Sequence, residues 1–145
     1  MIAFGSTAAP VDMDPSTPVI QDLSTTVTAD NDNNGVADFE DAVRSIQFLG
    51  QKFYEDPLMD ALTVVTSVPA DNQTVIFLSD GVPQDAPPNV PVALYTDDVA
   101  NLTGLGVTLE AFGVGTGTTT PDAQAALQII DGGAVFNLDA DGVRN

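Results

Sequence analysis

Residues 74–81, Thr-Val-Ile-Phe-Leu-Ser-Asp-Gly, constrain the fold of this chain more than any other stretch. Five apolar or β-branched residues run without alternation into a small hydroxyl, a carboxylate and a glycine. A strand apolar on both faces suits the middle of a parallel sheet with helices on either side. Ligands of open α/β sheets gather outside the carboxyl ends of the strands. The run therefore predicts a buried strand that delivers Asp80 to a crevice. The plain alternative is that Asp80-Gly81 is only a turn.

The surrounding pattern alternates strand and helix. Residues 2–5 read as a short strand, and residues 6–17, with Pro10, Pro15 and Pro18 in or beside them, as a loop. Residues 19–27 read as an edge strand. Phe39, Val43, Ile46 and Leu49 recur at helical spacing and predict a helix with one core face, ending near Gly50. Asp56-Pro57 reads as an N-cap with proline in the first turn, followed by the stripe Leu58, Leu62 and Val65. Val92, Tyr95, Val99 and Leu102 form the inward face of a helix closed by Gly104, and a strand follows at 107–112. Thr120-Pro121-Asp122 repeats the cap signature before Ala123, Ala126, Leu127 and Ile130; Gly132-Gly133 then stops the helix ahead of a last strand at 134–137. This order predicts an α/β fold: a Rossmann-like three-layer sandwich whose mostly parallel sheet is joined by right-handed crossovers. A length of 145 residues suits a single domain, 1–145.

A second stretch carries its own chemistry. In Asp30-Asn31-Asp32-Asn33-Asn34-Gly35-Val36-Ala37-Asp38-Phe39-Glu40-Asp41, oxygen side chains fall at positions one, three and five, glycine at six, and carboxylates at nine and twelve. That is the spacing of a calcium loop: alternate side chains point inward until glycine turns the chain, a backbone carbonyl contributes at seven, and the following helix brings the last ligand. The expected ligands are Asp30, Asp32, Asn34, Asp38 and Asp41 by side chain and Val36 by carbonyl. Asp rather than Glu at position twelve, and a β-branched segment rather than a helix upstream, make it resemble the isolated loops of dockerins more than a paired EF-hand. Read this way, residues 28–50 are an insertion in the domain. The competing reading is a solvated Asx-rich turn that caps the helix.

Composition limits the chemistry. Twenty-one acidic residues stand against three basic ones, for a net charge of −18. Such a chain repels nucleic acid and anionic membrane surfaces and gathers divalent cations. Cysteine and histidine are absent, so any resident metal is a hard, oxygen-ligated ion. No apolar run is long enough to span a membrane, which argues against direct insertion. The opening strand and the lack of a signal peptide suggest a segment of a longer protein. Asn72-Gln73-Thr74 and Asn101-Leu102-Thr103 match the glycosylation tripeptide.

From Ile2-Ala3-Phe4-Gly5-Ser6-Thr7 through Asp56-Pro57-Leu58-Met59-Asp60-Ala61-Leu62, the Ser79-Asp80-Gly81 strand end and Gly106-Val107-Thr108-Leu109-Glu110-Ala111-Phe112-Gly113-Val114-Gly115, the chain resembles von Willebrand factor A (VWA) domains over nearly its whole length. In that family an Asp-x-Ser-x-Ser motif on the first strand, a Thr before a helix and the Asp of the Asp-Gly strand hold an adhesion metal. Here Asp80 matches the last, Asp56 stands where the family has the Thr, and the Asp-x-Ser-x-Ser strand has no counterpart. The resemblance therefore implies an amino-terminally incomplete domain with an open seam beside residues 74–79, and a degenerate adhesion site at Asp80, Ser79 and Asp56 for Mg²⁺ or Ca²⁺.

Together these readings lead to a calcium-binding extracellular or cell-surface domain, without catalytic activity, that holds a protein or glycan ligand at the carboxyl edge of the sheet. Two alternatives stand beside it. One is an intracellular assembly or chelatase-associated domain of the same fold. The other is a hydrolase built on paired carboxylates such as Asp80 and Asp56.

Overall fold

The computed structural model describes residues 1–14, 26, 28–45, 51–68, 70–84 and 94–138. Strands β1 (Ile2–Phe4) and β2 (Ala8–Pro10) form an antiparallel hairpin with Ala3 opposite Ala9. The proline-rich loop expected from residue 6 thus begins with a second strand, and Pro10 sits at the end of that strand, where the ring removes no interior ladder bond. The edge strand expected at 19–27 lies outside the described residues.

Helix α1 (Asp38–Ser45) follows the acidic loop, and α2 (Glu55–Ser67) follows the next connection. Strand β3 (Thr74–Ser79), helix α3 (Thr96–Gly104), strand β4 (Thr108–Val114), a 3₁₀ turn (Thr116–Thr119), helix α4 (Pro121–Ile130) and strand β5 (Val135–Leu138) complete the order. Strands β3, β4 and β5 form one parallel sheet in that sequence. Its β3–β4 register is unbroken from Thr74 opposite Thr108 to Ser79 opposite Gly113, whereas β5 pairs irregularly beyond Phe112. The α/β class and the parallel sheet are those expected from the alternation of elements.

The core forms where Phe77 and Ala111 of the sheet and Val107, just before β4, meet Leu58 of α2, Leu102 of α3 and Leu127 and Ile130 of α4. Tyr54 and Tyr95 fill the space between these helices and the sheet, and both are fully buried. Burying a side chain of this size contributes about 1.5–3 kcal/mol each. The Thr120 side chain caps α4 by accepting from the Ala123 amide, and Pro121 occupies the first turn, as the local sequence predicts.

Three expectations need correction. Strand β3 is not covered on both faces: Val75, Phe77 and Ser79 point inward while Ile76 and Leu78 are 60% and 55% exposed. Asp56 is not the N-cap of α2; the N-cap position falls two residues earlier, at Tyr54, and no side chain caps the helix, so Asp56 lies within the first turn. On α1 the buried residues are Asp38 and Ala42, while Phe39 and Val43 are 43% and 45% exposed. Their spacing was that of a core stripe, but the helix is oriented by its acidic amino terminus. Ile46, Leu49 and Val92, assigned to helix faces from the sequence, lie outside the described residues.

The hairpin and the parallel sheet are separate ladders. They meet through side chains: the Phe4 ring lies 5.1 Å from Phe77, and Tyr54 lies edge-on to both. The amide of Phe53 donates to the Gly5 carbonyl at 2.9 Å.

Candidate metal centre

The loop before α1 is folded by its own carboxylates. Asp30 accepts from the amides of Asn34 (Oδ1, 3.0 Å) and Gly35 (Oδ2, 3.0 Å). Asp32 Oδ1 accepts from the Asn34 amide at 3.1 Å, and Asn34 Oδ1 accepts from the Val36 amide at 2.7 Å. Asp38, the first residue of α1, is buried and accepts from the Asn31 amide at 3.1 Å. Its own amide donates to the Ala29 carbonyl, which closes the loop. The turn needs two left-handed residues, Asn33 at φ 57° and Gly35 at φ 85°. Asparagine and glycine are the residues that accept this conformation at least cost.

This folding brings one oxygen each of Asp30, Asp32 and Asp38 within 4.8 Å of one another. Asn34 Nδ2 stands among the acids and donates to Asp32 Oδ2 (3.0 Å) and Asp41 Oδ2 (2.6 Å). All five side chains expected to face an ion are thus gathered, three directly and Asp41 through Asn34. Val36 is fixed at its amide. Asn34 Oδ1 is turned to the Val36 amide, so presenting it to a cation would require the side chain to give up that bond. Oxygen donors around a glycine-turned loop match a hard divalent ion in charge and chemistry.

One residue joins the site that the sequence did not single out. Asp12, just past β2, lines the same cavity as Asp32, Asp38 and Asp41, with Ala42 and Ser45 at its side. Only tertiary structure brings Asp12 to a loop that starts eighteen positions later, so no local signal pointed to it.

The end of β3 is built differently. Ser79 is buried, and its hydroxyl lies 2.7 Å from that of Tyr54, which is equally close to the Gly81 carbonyl. Asp80 is half-exposed, and its Oδ1 lies 3.4 Å from Lys52 Nζ. The chain packs tightly there: a Cβ on Gly117 would collide with the Asp80 carbonyl oxygen. Asp56 sits in the first turn of α2 and belongs to no carboxylate trio among the described residues. The groups that meet Asp80 and Ser79 are Lys52 and Tyr54, neither of which carries a motif in the sequence.

No protein-family model and no curated protein matches this chain. Solved structures do. Proximal thread matrix protein 1 from the mussel byssus, in a form with a zinc-occupied MIDAS motif (a metal-ion-dependent adhesion site), is 19% identical, with a TM-score of 0.63 over 94% of this chain and 29% of its own. A second crystal form of that protein is 17% identical, with a TM-score of 0.61 over 99% of this chain and 30% of its own. The present chain thus spans less than a third of the proteins it resembles. At such identities the likeness is one of architecture, and the architecture is a VWA-like α/β fold of Rossmann type.

Proposed function

We propose that this chain is a calcium-binding, non-catalytic interaction domain of an extracellular or cell-surface protein, holding a protein or glycan partner through the loops at the carboxyl edge of its parallel sheet. The observation that carries the calcium reading is the convergence of Asp30, Asp32 and Asp38, with Asn34 and Asp41 joined to them by hydrogen bonds. Calcium would be held there by those five side chains and the Val36 carbonyl. The ion supplies the positive charge that lets the carboxylates sit together.

The extracellular assignment draws support from the fold neighbour, a matrix protein of the mussel byssus. Open calcium sites of this kind also fill best where the ion is abundant. The non-catalytic assignment draws support from the lack of cysteine and histidine, and from Ser79, whose hydroxyl is engaged by Tyr54 rather than by a base. Isothermal titration with Ca²⁺ tests the central claim. One site is expected in the wild type and none in Asp30→Ala; an unchanged titration in that variant would exclude the loop as the binding site.

A further inference from the structure

We propose that the ammonium group of Lys52 fills the cation position at the carboxyl end of β3, so that the Asp80 crevice carries its own tethered cation and takes up no divalent metal. Lys52 is the only lysine in a chain with 21 acidic residues, yet it lies beside this carboxylate, with Nζ 3.4 Å from Asp80 Oδ1. The backbone that carries it is fastened on both sides. The Lys52 carbonyl accepts from the Gln84 amide at 2.7 Å, and the Phe53 amide donates to Gly5. Two residues on, Tyr54 bonds to the end of β3 through its hydroxyl. The lysine stem crosses Gly81, where a Cβ would meet Lys52 Cε at 3.5 Å. Residues 52–54 thus form a strap across the end of the strand, with the ammonium at its tip.

The remaining chemistry agrees. A calcium ion takes six to eight oxygen ligands. Asp80 belongs to no group of three acidic side chains among the described residues. Ser79 turns its hydroxyl into the buried cluster with Tyr54 and Gly81. A divalent ion at Asp80 would have to displace the ammonium or sit against it, and two like charges at that separation repel. The ammonium gives Asp80 a counter-charge that no chelator removes. On the interaction-domain reading proposed above, a partner at this edge would be held without metal, in contrast to the loop before α1. The inference does not depend on calcium binding by that loop.

Amide spectra recorded with Mn²⁺, whose paramagnetism broadens nearby signals even at millimolar affinity, test this. In the wild type, any broadening of the Asp80 and Gly81 amides should be the same as for Gly81 and residue 80 in Asp80→Asn. In Lys52→Met, which keeps the stem and removes the charge, those amides should broaden at several-fold lower Mn²⁺, and adding Asp80→Asn should reverse the effect. Lys52→Arg should behave as the wild type. Broadening in the wild type that Asp80→Asn abolishes would overturn the proposal, and so would a Lys52→Met protein, folded by its β4 amide shifts, in which Asp80 and Gly81 stay sharp. The wild-type comparison decides even if Lys52→Met does not fold.

Discussion

Tyr54 shows how much can rest on one residue with no motif of its own. Its ring is fully buried, 4.8 Å from Phe77 and 5.4 Å from Tyr95, and its hydroxyl reaches Ser79 and Gly81. Tyr54→Phe keeps the ring and strands the buried polar groups it served, which costs about 1–3 kcal/mol. Urea denaturation should show that loss as a lower midpoint with an unchanged slope; an unmoved midpoint would mean that water or a neighbour replaces the hydroxyl. Nothing in the sequence advertised this role, because the partners lie 25 and 27 positions away. The turn formed by the acidic loop was legible for the opposite reason. Asp30, Asp32, Asn34 and Gly35 are near neighbours, and a turn of that composition has few ways to fold.

Among the elements, α4 was readable from end to end, since its cap, proline, apolar stripe and terminal glycines all act within the helix. Helix α1 was readable in position but not in orientation. A helical stripe says that one face is apolar and leaves open what covers it; in α1 the Asn31 amide and the Ala29 carbonyl hold Asp38 inward, and Phe39 and Val43 are 43% and 45% exposed. The same limit applies to β3, whose apolar run could not reveal that Ile76 and Leu78 lack cover. Because α1 begins inside the acidic loop, calcium binding as proposed would be coupled to helix formation. With Ca²⁺ a hundredfold above its dissociation constant, the domain should gain about 2.7 kcal/mol. Melting curves with calcium and with chelator should separate accordingly in the wild type and coincide in Asp30→Ala. Coincidence in the wild type would contradict calcium binding by the folded domain.

On the scale of the whole molecule, charge outweighs every other feature. A net charge of −18 on 145 residues leaves the folded chain repelling itself. A local sign is Asp98, whose carboxyl is pushed above its ordinary range by burial and then by the neighbouring Asp97. Monovalent salt screens such repulsion within about 10 Å at 0.1 M, so the melting temperature in chelator should rise steadily from low salt to 1 M; a flat response would mean that the acids are already compensated. The parallel pairing of β3 with β4 adds a consequence for the folding route. No turn joins these strands: α3 must come round before Thr74 can meet Thr108, so the ladder cannot zip outward from a hairpin. Loop closure of this kind slows folding. Until it is complete, an uncharged strand, Thr74–Ser79, stands with both edges unpaired, the state in which chains most readily aggregate. The acidic surface that strains the finished domain also keeps nascent copies apart during that interval.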